Sequence, residues 1–113
     1  MELLVKYVAA HNRGVRSGDF RALADLLHPT ATMRFDGIDA GPFDSADAIL
    51  RAFRDSPPDD ELTIGPCRKI GPTTIEATYG WARDRGRMGG RLRVTTERGR
   101  ISAIFVGALG AAG

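Results

Sequence analysis

A chain of 113 residues fits one domain, residues 1–113, with 42% apolar and 27% charged residues and its 14 glycines and 6 prolines in short clusters. That composition excludes a disordered, collagenous or repeat protein and leaves a globular fold. No apolar stretch approaches the roughly 20 residues a bilayer-crossing helix needs, MELLVKY has no basic flank or cleavage site, and the lone Cys67 cannot form an internal disulfide, so the expectation is a cytoplasmic protein with no membrane partner.

The net charge of +2 conceals an asymmetry. Residues 1–80 hold 9 Lys+Arg against 12 Asp+Glu, whereas residues 81–113 hold 7 against 2. Such an arginine cluster could attract nucleic acid. No aromatic residue interrupts 82–104 to stack bases, however, so the stretch reads as a solvated hairpin rim.

Leu3, Leu4, Tyr7, Val8 and His11 recur at helical spacing and predict an amphipathic helix over residues 2–16, stopped by Gly18. Asp19 is the expected N-cap of a second helix carrying Phe20, Leu23, Leu26 and Leu27, which ends at His28-Pro29. Thr30–Asp36 alternates and reads as a strand, broken at Gly37 and resumed around Ala40–Phe43. Asp44, with Asp47 three residues on, is the expected cap of a third helix whose inner face carries Ile49, Leu50 and Phe53, and Ser56-Pro57-Pro58 ends it.

From Asp59 the period becomes two. Strands are predicted near 60–69, 73–84, 89–98 and 100–107, the last two joined by a tight turn at Arg98-Gly99, with Gly110–Gly113 as a frayed tail. The order of elements gives an α+β fold with helices on one face of a curved sheet, and a pocket at the wide end of that cone. Parity puts Ile75, Ala77, Tyr79 and Trp81 on the concave face, joined by Leu92, Val94, Ile104 and Val106, against Glu76, Thr78 and Gly80 on the convex one. The aromatic stripe suits either a cavity for a small apolar molecule or ordinary core.

Tyr7-Val8-Ala9-Ala10-His11-Asn12-Arg13-Gly14, then Asp19-Phe20 with Leu26-Leu27-His28-Pro29-Thr30-Ala31-Thr32, then Gly41-Pro42-Phe43 followed by Ala48-Ile49, resemble the nuclear transport factor 2-like (NTF2-like) superfamily in its ketosteroid isomerase and SnoaL-like branch. The resemblance spans about residues 3–107. It implies a cone-shaped fold with three N-terminal helices on a mostly antiparallel sheet, and a chemistry that the fold does not choose, since the superfamily holds isomerases, cyclases, epoxide hydrolases and non-enzymatic binders.

In the isomerase a first-helix tyrosine and a protonated aspartic acid stabilise a dienolate while a second aspartate moves the proton. Tyr7 falls on the tyrosine position, where it is either an oxyanion donor or a core tyrosine. The base position falls on Phe35, with Asp36 one residue further on and therefore facing the other way on a regular strand. The strand 89–98 has no carboxylate before Glu97, so authentic steroid isomerisation is not expected. For an epoxide hydrolase the nearest charged material is Asp36, Arg34 or Arg93, and Glu61. His11, one turn from Tyr7, is the histidine placed for acid–base work. His28 and Cys67 have no partners at ligand or nucleophile spacing, so no metal and no cofactor are expected.

The candidate catalytic residues are thus Tyr7, His11 and Asp36, and the candidate wall is Phe35, Phe53, Ala77, Tyr79, Trp81, Leu92, Val94, Ile104 and Val106. Two function classes stay open, a proton-transfer isomerase or cyclase and a non-catalytic binding or dimerisation module. A homodimer is expected through the convex face, where Thr78, Gly80 and Ala82 are small.

Overall fold

The structure, a computed structural model, describes residues 2–85 and 87–108. The predicted tail Gly110–Gly113 and the loop residue Gly86 lie outside the described residues. Three helices and six strands follow in the order α1 (Glu2–Ser17), α2 (Arg21–Leu26), β1 (Leu27–Asp36), α3 (Ala46–Asp55), β2 (Leu62–Ile64), β3 (Arg68–Lys69), β4 (Thr74–Trp81), β5 (Met88–Glu97) and β6 (Arg100–Ala108). The fold is α+β, with a curved, open sheet ordered β1-β6-β5-β4-β2 and β3 also paired to β4. Among the described strands, only β1 and β6 run parallel. Register shifts at Tyr79/Gly80 and Thr95/Thr96 mark irregularities of the kind that bend strands.

Local chemistry explains most boundaries. Arg98 and Gly99 both take positive φ, 51° and 78°, as a two-residue hairpin turn between β5 and β6 requires. Several ends differ from the sequence expectation. Ser45, not Asp44, caps α3, accepting the Ala48 N–H at 3.0 Å. Asp19 lies one residue outside the α2 cap position and instead accepts the Arg21 N–H and side chain. The predicted strand 60–69 is split into β2 and β3 around Gly65-Pro66, because a proline has no N–H to give the ladder. β4 ends at Trp81, and Ala82–Asp84 forms a 3₁₀ turn, which takes Ala82 off the convex face.

The helices cover the narrow end of the concave face. Leu4, Leu23 and Ile49 pack there with Val94, Ile101 and Ile104, all nearly or wholly inaccessible. The convex face is more polar than its small residues suggested. Glu76 is buried on it, its carboxylate held by Arg93 Nε at 2.7 Å and Arg68 Nη2 at 2.8 Å, and the Arg93 guanidinium lies 5.1 Å over the Phe105 ring. Those two hydrogen bonds, Arg93 first, hold the Glu76 carboxyl below its usual range.

Candidate functional site

A cavity of about 270 Å³ opens at the wide end of the cone. Its floor comes from α1, where Tyr7 and His11 stand one turn apart on the buried face. The sheet contributes Met33, Phe35, Tyr79, Trp81, Leu92 and Val106, which alternate with residues of the convex face. The remaining wall is α3 with Ala52 and Phe53, and the segments on either side of that helix.

His11 is held from both sides. Its Nε2 lies 3.1 Å from the Asp60 carbonyl oxygen, so Nε2 carries the hydrogen and donates it, which leaves Nδ1 as the lone-pair nitrogen. Nδ1 is closed to water and has no hydrogen-bond partner among the described residues. The Phe53 ring stands edge-on 6.1 Å away and the Trp81 ring lies at 6.0 Å.

The segment after α3 is sewn to α1 beside this contact. Asn12 donates to the Leu62 carbonyl at 2.9 Å and accepts the Leu62 N–H at 2.7 Å. The Asp60 carboxylate accepts the N–H groups of Arg83 and Glu61, each at 2.9 Å. These bonds fix the acceptor that selects the His11 tautomer.

Burial sets the protonation states. It lowers the His11 pKa below the usual imidazole value, against the Asp60 carbonyl bond and the nearby Glu61 and Asp60 carboxylates, which favour the charged form. It raises the Tyr7 phenol well above its ordinary range, with a smaller contribution from the neighbouring Tyr79, and it raises Tyr79 as well. The site therefore presents a neutral imidazole and two protonated phenols at neutral pH.

The expected site residues divide by position. Tyr7, His11, Phe35 and Phe53 line the cavity, as do Tyr79, Trp81, Leu92 and Val106. Ala77, Val94 and Ile104 share the concave face but are not among the lining residues, because the helices fill that end of the cone. Asp36 does not line the cavity either: it pairs with Gly107 on the parity of Arg34 and Thr32, while Phe35 beside it turns inward. No bulge falls between Phe35 and Asp36 to reverse this. The charged set of an epoxide hydrolase is also not gathered here, since Arg93 binds Glu76 on the convex face and Glu61 pairs with Arg16.

Sequence reasoning missed Met33, Phe43 and Leu62 among the lining residues. Met33 shares parity with Phe35 and was within reach of the alternation argument. Phe43 reaches the wall through an isolated bridge to Met33, a contact that no local pattern announces. Among the described residues, no group of three or more His, Cys, Asp or Glu could hold a metal ion, and no helix is long and apolar enough to cross a membrane.

Comparison with known proteins gives the architecture a class: the chain has the nuclear transport factor 2-like fold. An NTF2-like protein of unknown function from Cytophaga hutchinsonii superposes with a TM-score of 0.70 at 12% identity, over 92% of this chain and 84% of that one. A Sinorhizobium meliloti protein provisionally named a polyketide cyclase gives 0.67 at 17% identity, over 94% of each chain. A Rhodopseudomonas palustris protein provisionally named an isomerase gives 0.61 at 15% identity, over 93% of this chain and 87% of that one. No family model and no curated protein matches the sequence.

Proposed function

We propose that the chain binds a small neutral carbonyl compound in this cavity and moves a proton on it. Tyr7 donates its phenolic hydrogen to the carbonyl oxygen. Once the Phe53 and Trp81 rings beside the imidazole shift to open Nδ1, which is closed in the empty cavity, the neutral His11 takes a proton from the adjacent carbon onto Nδ1, the C–H pair becomes the C=C bond of an enolate, and the imidazolium returns the proton to carbon at the same or a conjugated position. The observation that carries this reading is the pairing of a buried phenol and a buried imidazole with an unpaired nitrogen, one helical turn apart in an otherwise largely apolar cavity. A dry surround strengthens a hydrogen bond to a developing oxyanion. The names of the Sinorhizobium and Rhodopseudomonas proteins, a cyclase and an isomerase, are compatible with enolate chemistry on this fold.

The test is hydrogen–deuterium exchange. A panel of neutral cyclic ketones is incubated with the protein in deuterated water, and loss of the proton next to the carbonyl is followed by NMR. The native chain is expected to accelerate exchange of at least one ketone, and Tyr7→Phe and His11→Gln are each expected to suppress it. Saturable binding without exchange across the panel would replace the enzyme reading with the binding module.

A further inference from the structure

We infer that the convex face carries a separate binding site, which takes the phosphate group of a small soluble phosphate ester between Arg34 and Arg93. The site lies on the far side of the sheet from the cone cavity and owes nothing to the chemistry proposed there. Register, charge and the hydrogen-bond inventory lead to it.

Register builds the hollow. Two cross-strand rows run side by side over β1, β6, β5 and β4, with Arg34, Phe105, Arg93 and Glu76 in one and Thr32, Ala103, Thr95 and Thr74 in the other. Residues two apart on a strand share a face, so both rows stand on the convex side. Ala103 has the smallest side chain in either row. It leaves a depression over β6, flanked by Thr32 and Arg34 from β1 and by Thr95 and Arg93 from β5, and the hollow there has a volume of about 390 Å³.

Charge sets the sign of the ligand. Arg34 and Arg93 line the hollow, and among the described residues no Asp or Glu does. Arg34 has no ion-pair partner among the described residues. Arg93 is neutralised only in part, because it shares the single Glu76 carboxylate with Arg68. Asp36, the other acid of this face, stands opposite Gly107 further along β1 and does not line the hollow. An anion that gives up its hydration here gains cations in exchange.

The donors fit a phosphate. Arg93 gives Nε to Glu76 at 2.7 Å and its Cζ lies 5.1 Å from the Phe105 ring centre, so the guanidinium is held in place while both Nη groups stay unpaired among the described residues. The Thr74 and Thr95 hydroxyls lie 3.1 Å apart, so one donates to the other and one hydrogen is left over. A single guanidinium fork satisfies a carboxylate, whereas a phosphate ester presents three acceptor oxygens and about two negative charges at neutral pH. The ester therefore suits two cationic flanks with hydroxyls beside them. A second copy seated over Phe105 would cover the hollow, so the ester and that pairing compete for the face.

The test is an NMR titration of the full chain with glycerol phosphate at pH 7.5, followed through the backbone amides of Thr95, Ala103 and Phe105. Saturable shifts confined to β1, β4, β5 and β6 are expected, and acetate should bind far more weakly. Arg34→Gln is expected to weaken binding about tenfold or more, the usual loss when hydrogen bonds to a charged group are removed. Ala103→Leu, at a partly exposed position, should weaken it as much by filling the floor while both arginines remain. Arg100→Gln, the same change of charge on the exposed start of β6, should leave binding unchanged. No saturable shift, equal affinity for acetate, equal losses in Arg34→Gln and Arg100→Gln, or native affinity in Ala103→Leu would each overturn the inference. None of these outcomes bears on ketone exchange, because no substituted residue lines the cone cavity.

Discussion

The ring of Tyr79 lies over Gly90, its partner across β4 and β5, and a Cβ built at Gly90 would meet both that ring and the Gly107 carbonyl. The absent side chain is therefore what allows Tyr79 to lie flat along the cavity wall. Gly90→Ala must push the ring or spread the β5–β6 pair, an overpacking cost of about 1–3 kcal/mol. Urea unfolding should show that loss, together with weaker binding of any cavity ligand; unchanged stability would mean that the wall yields freely.

Tyr7→Phe separates chemistry from packing. Burial and the neighbouring Tyr79, with no hydrogen bond beside them, set the raised Tyr7 pKa, so removal of the hydroxyl should change stability by less than about 1 kcal/mol. Removal of a preorganised oxyanion donor costs on the order of 100- to 1000-fold in turnover, and exchange of a responsive ketone should slow by that factor. Native exchange rates in the variant would dismiss Tyr7 as the donor.

His11 gives the fold a pH dependence whose sign follows from burial. Its folded pKa lies below the ordinary value while an unfolded chain titrates near the usual imidazole value of about 6.5. The unfolded state thus takes up the proton first, and the stability that a neutral His11 contributes is present above about pH 6.5 and is lost as pH falls below it. Melting temperatures between pH 7.5 and 5 should fall for the native chain and fall less for His11→Gln. Parallel profiles would show that another group titrates.

Glu76 anchors the convex face. Its replacement by Ala leaves Arg68 and Arg93 without their carboxylate and uncovers the surface beneath, a loss of about 1–3 kcal/mol by the usual worth of hydrogen bonds to charged groups. Chemical denaturation of Glu76→Ala checks this, and a shift of less than about 0.5 kcal/mol would class the cluster with ordinary surface ion pairs.

The same face is where a second copy is expected to pair, with Phe105 and the flat strip at Thr78 and Gly80 as its apolar part. Sedimentation equilibrium at roughly tens of micromolar should show dimer for the native chain and monomer for Phe105→Glu. Monomer in both cases would discard this pairing.

Alternation was the most legible feature of the sequence. It placed Tyr79 and Trp81 on the cavity side of β4 and Glu76 and Thr78 on the other, because each strand pairs over several residues and a slip would turn every side chain around. The α1 stripe likewise brought Tyr7 and His11 to one buried face. Alternation does not reveal depth. Val94 and Leu92 have the same parity, yet only Leu92 lines the cavity, because helix packing decides where the cone stops being full. Nor could spacing disclose that His11 would meet the carbonyl of Asp60, 49 residues away, since any residue can supply a backbone oxygen. That contact sets which imidazole nitrogen is free, so the central chemical detail of the site was the least readable from the chain.

The parallel pairing of β1 with β6 also governs when the molecule can form. β6 lies between β1 and β5, so the last of the described strands is the one that joins the first to the rest of the sheet. Until residues 100–108 are free, β1 keeps an unpaired edge and the meander β4–β5 has no link to it. The cavity wall that needs Phe35 beside Val106 is consequently assembled in a step dominated by contacts some 70 residues apart, and such non-local closure is slow relative to helix formation. A nascent chain halted before residue 100 should be readily cleaved by protease throughout β1, and release of the last strand should convert it to the resistant form.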